Sequence, residues 1–267
     1  MNFETQYVSL IEDIKAMGHT RQTRNAIAKS IFGYQLTTNE LTYGVFPMLK
    51  GRQLFWEGVV GELAAFLNGP ERIEDFTSRG CNYWKAWAHE DGKIEVDYGN
   101  KWNNFHGVDQ LADVVESLKN DPYGRRHLIT GWDPSNLDNV DLPCCHYAYQ
   151  WYVNEYGYLD MIWIQRSVDT VLGLPSDMIL AAVWNLLMAQ TTGYKPGRIT
   201  MQLGDTHIYE EHLSTLDSYL VGAQLQANKP QPGYWLSPAA TVFNFEPEMF
   251  AVQDYEHGPK LAFPLIK

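Results

Sequence analysis

Apolar positions recur along this chain at two spacings. Phe3, Tyr7, Leu10, Ile11 and Ile14 follow the three-and-four step of an amphipathic helix over residues 3–17, with Gly18 as its stop. Leu54–Leu67 and Val108–Leu118 repeat that step and end at Gly69-Pro70 and at the turn Asn120–Gly124. A strand is expected to begin near Ala28, and others over His127–Trp132, Thr200–Leu203 and Thr241–Phe245. Tyr147–Val153 alternates aromatic residues as a strand does, and Tyr158–Gln165 pairs with it as a hairpin across Asn154–Gly157. The apolar run Met178–Thr192 is too continuous for a surface helix and is expected to be buried. A further helix begins near Glu210, and residues 224–236, polar and broken by proline, read as a loop.

Between the hairpin and the buried helix lies the most polar block next to the core, Gln165-Arg166-Ser167-Val168-Asp169. A turn containing Gly173 and Pro175 then leads to Ser176 and Asp177 at the helix start. Arg166 and Asp169 are costly at the end of a buried strand unless they have partners. Arginine suits a phosphate or a carboxylate, which it grips bidentately. A substrate is therefore expected at this strand end.

The 267 residues suit a single α+β domain spanning residues 1–267. A net charge of −12 argues against a surface that coats nucleic acid, so an anionic substrate needs a local arginine cluster. No apolar run reaches the roughly 18 residues of a membrane span. Cys81, Cys144 and Cys145 form no disulfide framework and the N-terminus lacks a signal-peptide pattern, which together suggest the cytoplasm. No metal-ligand spacing is present.

Single residues leave alternatives open. Arg21 and Arg24 lie in a polar loop that is either solvated or an anion-binding arm. Glu62, amid Val59, Val60, Leu63 and Phe66, either faces outward or is a buried acid with a raised pKa. Trp84, Trp87, Tyr98 and Trp102 are core, or the walls of a site for a flat ring. Arg125 and Arg126 are surface charge or a phosphate site. Cys145, beside His146, is a nucleophile or merely a buried thiol. The tail Phe263–Ile266 is apolar and is expected to dock.

Several blocks together resemble the thymidylate synthase family: SIFG, GRRHLITGW, LPCCHYAYQWYV, QRSVDTVLGLP, LMAQTTGYKPG and GDTHIY. They stand in the family's order and spacing from about residue 24 to the C-terminus. The resemblance implies a large mixed sheet packed with helices, one sheet face forming the interface of an obligate homodimer. It implies a pyrimidine nucleoside monophosphate and 5,10-methylenetetrahydrofolate as substrates, with no metal and no nucleic acid. Cys145 would be the nucleophile, with Cys144 standing where a second proline is usual. Arg24, Arg166 and Ser167 would hold the phosphate, joined by Arg125 and Arg126 across the dimer. Gln165 would line the nucleotide site, and His207 and Tyr209 would hold the sugar hydroxyl. Glu62 and Tyr98 would belong to the proton-transfer network, and His146 would be a further catalytic residue. Asp169 would contact the pterin, with Trp84, Trp87, Leu172, Gly173 and Ile266 around the folate. The Arg24 loop is one residue short and lacks the usual glycines, and Ser176 replaces a common aromatic residue.

One departure bears on the substrate. The family reads uracil with asparagine at the position of Asp177. An amide offers one donor and one acceptor, but an ionised carboxylate offers only acceptors. Those match the N4 amino group of cytosine and an N3 that becomes protonated. Family members with aspartate here are cytidylate-specific and mostly hydroxymethylating, so the expected reaction is 5-hydroxymethylation of dCMP. C5-methylation of dCMP, thymidylate synthesis from dUMP, and a catalytically silent nucleotide-binding protein are the alternatives. Asp177 could also be no more than a helix N-cap.

Overall fold

The computed structural model describes residues 2–266. Helix α1 (Phe3–Met17) buries Phe3, Tyr7, Leu10, Ile11 and Ile14, the stripe expected from their spacing, and Asn2 caps it by accepting from Thr5 N. Strands β1 (His19–Gln22) and β2 (Ile27–Thr38) follow, then α2 (Trp56–Leu67), the short α3 (Ile73–Thr77) and α4 (Tyr98–Asn103), and α5 (Gln110–Asn120). Strand β3 (Leu128–Thr130) precedes the hairpin β4 (His146–Val153) and β5 (Tyr158–Asp169), which turns at Asn154–Gly157 with Gly157 at φ 75°. Helix α6 (Gly173–Thr192) leads to β6 (Lys195–Tyr209), α7 (Leu213–Gln226), β7 (Gly233–Leu236) and β8 (Phe250–Gln253).

Six strands form one mixed sheet in the order β1-β2-β6-β5-β4-β3, in which only β5 and β6 run parallel. The parallel pair is made possible by α6, which crosses between them. That helix buries residues from Leu174 to Ala189 on all sides, as its unbroken apolar sequence requires. Gly204 sits where β6 touches β5: a Cβ there would lie 2.4 Å from the carbonyl oxygen of Arg166. The inward face of β5 presents Leu159, Met161, Trp163 and Gln165 to the core. The opposite face of the sheet leaves Tyr152 and Leu128 exposed and Tyr147, Ile162 and Ile164 half-buried.

Three expectations are corrected. Residues 241–245 form no strand; Val242 and Phe245 are buried from a turn, so their apolar side chains anchor a loop. Residues 224–236 are not all loop, because α7 runs to Gln226 and Gly233–Leu236 pairs with β8. Gly173 and Pro175 do not form a turn ahead of the buried helix but its first turn, where proline lacks no hydrogen bond that the helix needs.

Candidate active site

Cys145 stands immediately before β4, half-buried, with its Sγ 3.9 Å from Nη2 of Arg166. The arginine does more than lie near it. Its Nε donates to the Cys144 carbonyl at 2.9 Å and its Nη2 to the Pro143 carbonyl at 2.8 Å, while its backbone N–H donates to Cys145 O at 2.9 Å. Both ends of Arg166 therefore hold the cysteine loop, and its guanidinium lies over the Trp132 ring at 5.4 Å. On the other side the Cys145 N–H donates to Tyr98 Oη at 2.9 Å. A cation such as Arg166 beside a thiol favours the thiolate. It does lower the thiol pKa, but burial raises it more, so the net shift is upward. Cys144 is fully buried and its thiol is pushed up to about 12 by burial, which leaves Cys145 as the reactive candidate.

Glu62 points inward from α2, which overturns an outward-facing reading. Burial pushes its carboxyl up to about 8, although Trp84 Nε1 donates to its Oε1 at 2.6 Å. Trp84 is wedged between Phe76, stacked at 5.3 Å, and Phe66, edge-on at 5.8 Å, and Trp87 leans against it at 5.6 Å.

His146 is buried between Tyr98 and Trp163, each ring 4.4 Å away, and burial lowers its pKa to about 3. It is a neutral imidazole. Tyr149 Oη donates its single proton to the His146 carbonyl at 3.0 Å, so the 2.6 Å contact to Nδ1 is a bond donated by the ring. Nε2 is then left as an acceptor. Tyr149 is thus a site residue that sequence reasoning missed; the only trace was the alternation of aromatic residues in β4.

Asp177 is not the N-cap of α6. The cap position belongs to Leu172, and Asp177 lies in the second turn with Oδ2 accepting from Gln165 Nε2 at 2.7 Å. Burial pushes its carboxyl up to about 7 against the lowering effect of that bond. Asp177, Glu62 and Cys145 interact electrostatically: ionised Asp177 raises the pKa of both others. Four elements, α2, β4, β5 and α6, thus bring these groups to one place.

The remaining candidates lie along the ends of β5 and β6. Ser167 pairs with Asp205, and Asp169 with His207. His207 Nδ1 is 3.2 Å from Asp205 Oδ1 and its ring meets Tyr209 edge-on at 5.0 Å. Asp169 Oδ1 accepts from the backbone N–H groups of Val171 and Leu172 and lies 3.8 Å from His212 Nδ1. His212, also missed, donates through Nε2 to the Pro264 carbonyl at 2.8 Å and meets Phe263 edge-on at 5.5 Å, so the apolar tail does dock. Ile266 is half-buried at its end. Arg24 is exposed between β1 and β2 and donates to Asn25. Arg125 and Arg126 are exposed in the turn before β3. Beside Leu172 and Ser176 a cleft of about 480 Å³ opens, lined also by Arg52, Leu54, Lys260 and Leu261. Gly173 closes on the other side against Asp177, whose Oδ2 would be 3.6 Å from a Cβ there.

A half-buried cysteine clamped by arginine, with two carboxyls that titrate near neutrality, is an arrangement suited to nucleophilic and acid–base chemistry. The sequence profile of the thymidylate synthase family matches residues 5–267. A protein of Escherichia phage T5 described as a probable thymidylate synthase is 36% identical over 242 residues, covering 85% of this chain and 84% of that protein. In three dimensions the chain superposes on thermostable thymidylate synthase A from Bacillus subtilis with a TM-score of 0.88, over all of both chains at 29% identity. The chain belongs to the thymidylate synthase family. It is accordingly a folate-dependent one-carbon transferase acting at C5 of a pyrimidine nucleotide.

Proposed function

We propose that this enzyme acts on deoxycytidylate and converts it to 5-hydroxymethyl-dCMP. The observation that carries the reading is Asp177, a carboxyl buried in the site and held by Gln165. Ionised, it accepts from cytosine N4–H₂ and from a protonated N3. Protonated, it donates to a neutral N3 and still accepts from N4–H₂. A carboxyl titrating near neutrality serves both states and can pass its proton to N3 as the ring is attacked.

In this reading Cys145 Sγ adds to C6 as the thiolate, and the electron pair of the C5–C6 double bond moves to C5. Burial disfavours the Cys145 thiolate and the Arg166 guanidinium favours it. Arg166, Ser167 and Arg24 take the phosphate, with Arg125 and Arg126 reaching it from a second subunit. The uncovered sheet face, with Tyr152, Ile162 and Ile164, is suited to such a homodimer. Gln165 lines the base pocket, and His207 and Tyr209 take the sugar hydroxyl. Glu62 holds a proton at neutral pH, and Tyr98 and neutral His146 complete the polar lining.

5,10-Methylenetetrahydrofolate supplies the one-carbon unit when bound. The residues present fit it: the cleft offers Leu54, Leu172 and Leu261 to a flat ring, and Arg52 and Lys260 to an anionic tail. Trp84, Trp87, Asp169, Gly173 and Ile266 would complete its surroundings. Ser176, small and half-buried, leaves the cleft wider than an aromatic residue would. Water entering there favours a hydroxymethyl over a methyl product: once the one-carbon unit is bonded to C5, loss of the C5 proton would release tetrahydrofolate as the carbon–nitrogen bond breaks, water would add its hydroxyl to the exocyclic methylene, and Cys145 would leave C6 as the C5–C6 double bond re-forms.

Mass spectrometry of the products from dCMP, CMP and dUMP with methylenetetrahydrofolate tests the reading. The expected product is dCMP heavier by CH₂O. A product heavier by CH₂ from dCMP means methylation, and turnover of dUMP alone rejects the assignment.

A further inference from the structure

Trp102, Trp151, Trp163 and Trp184 are all fully buried. Among the described residues, three of them leave the indole N–H without an acceptor. Trp163 does not: its Nε1 donates to Gln165 Oε1 at 3.1 Å, from two residues away on the same face of β5. Gln165 in turn donates through Nε2 to Asp177 Oδ2 at 2.7 Å. An indole N–H can only donate, so the amide oxygen of Gln165 must face Trp163 and its NH₂ must face Asp177. Without that partner a carboxamide can turn over with almost no change of shape. Trp163 itself is wedged among His146, Tyr149 and Trp184, with ring centroids 4.4, 4.9 and 6.5 Å away.

We propose that Trp163 is a positioning residue for base recognition: by locking the amide of Gln165, its indole N–H sets which atom of residue 177 faces the nucleotide. The proposal rests on the reading of Asp177 as the base-facing group. Whatever receives the Gln165 NH₂ must be an acceptor. Aspartate gives one oxygen to it and presents the other, which suits the cytosine amino group. Asparagine would turn its carbonyl to Gln165 and present its NH₂, which suits uracil O4. The lock therefore converts one atom at position 177 into a choice of base. With the lock gone, Gln165 can offer its carbonyl instead. Asparagine would then turn its carbonyl to the base, and aspartate would meet Gln165 only by keeping its proton. The same lesion thus weakens opposite preferences in the two backgrounds.

The test is kcat/KM for dCMP and dUMP from pH 6 to 9 in the wild type, Trp163→Phe, Asp177→Asn and the double variant. Losing one oriented hydrogen bond, Trp163→Phe should lower the dCMP-over-dUMP ratio by about tenfold in the wild type. In the Asp177→Asn background it should lower the dUMP-over-dCMP ratio by a similar factor. The pH midpoint for dCMP turnover should also move upward in Trp163→Phe. Should that variant fail to fold, Gln165→Met leaves Trp163 in place, removes the amide and should weaken the preference in both backgrounds. Equal loss on both bases, or a shift in the same direction in both backgrounds, overturns the proposal in favour of a packing role. An unchanged ratio in Asp177→Asn alone would instead overturn the reading of Asp177, and the proposal with it.

Discussion

The indole N–H of Trp84 donates to Glu62 Oε1 across 2.6 Å, yet this bond does not offset the burial of the carboxyl, which titrates near 8. The group is raised from its ordinary value of 4.5, so the folded protein binds a proton that the unfolded chain has released. Stability from this group is full below about pH 4.5 and falls as pH rises to about 8. Glu62→Gln keeps an acceptor for Trp84 and has no charge to bury. Its stability relative to wild type should therefore grow with pH, by roughly 4 kcal/mol between pH 5 and 9. Urea unfolding at several pH values measures this; a constant difference would show that Glu62 is not proton-coupled to folding.

Cys145→Ser should lose turnover by about 10³-fold or more while nucleotide binding stays within a few-fold, because only the covalent step is removed. Cys144→Ala should keep most activity at a cost of about 1 kcal/mol in stability, since a buried thiol is replaced by a small void. Kinetics and calorimetric binding separate the two. The reverse pattern would identify Cys144 as the nucleophile.

Asp177→Asn should move the preference from dCMP towards dUMP. The amide supplies a donor for uracil O4 and leaves the cytosine amino group facing another donor. A buried polar mismatch of this kind corresponds to a change of about 10²-fold in the ratio of kcat/KM values, or roughly 3 kcal/mol. Competition assays with both nucleotides measure it.

The same carboxyl makes base choice depend on pH in the wild type. Asp177 titrates near 7, and only its protonated form can donate to uracil O4. Turnover of dUMP relative to dCMP should therefore rise as pH falls through about 7 and fade above it. In Asp177→Asn the ratio should be flat across that range. A flat wild-type profile would remove Asp177 as the titrating group.

Much of this arrangement was legible from sequence. The stripe of α1, the β4–β5 hairpin and the burial of α6 follow from periodicity alone. The block from Gln165 to Asp177 was marked by polar residues at the end of a buried strand. What failed was local in each case. Glycine and proline at 173 and 175 carry the same signal in a turn and in the first turn of a helix, so the helix was expected to start at about Asp177, four residues after its first residue, Gly173. Val242 and Phe245 bury themselves from a loop, which alternation cannot distinguish from a strand. The balance of burial over Arg166 at Cys145, the tautomer of His146 and the role of Tyr149 depend on side chains from distant elements. No local pattern encodes them.

The contact between Gly204 and the Arg166 carbonyl joins β6 to β5 too closely for any side chain to stand between them. The two strands behave there as one plank, carrying Arg166 and Ser167 on one strand and His207 and Tyr209 on the other. Asp177 is not part of that plank; it belongs to α6. In the proposed reading the plank grips the sugar and phosphate, while the side chain that reads the base comes from α6 and is steadied by Gln165 of the plank. Evolution could exchange one nucleobase for another by altering a single helical side chain, while leaving the handle by which every nucleotide is held untouched.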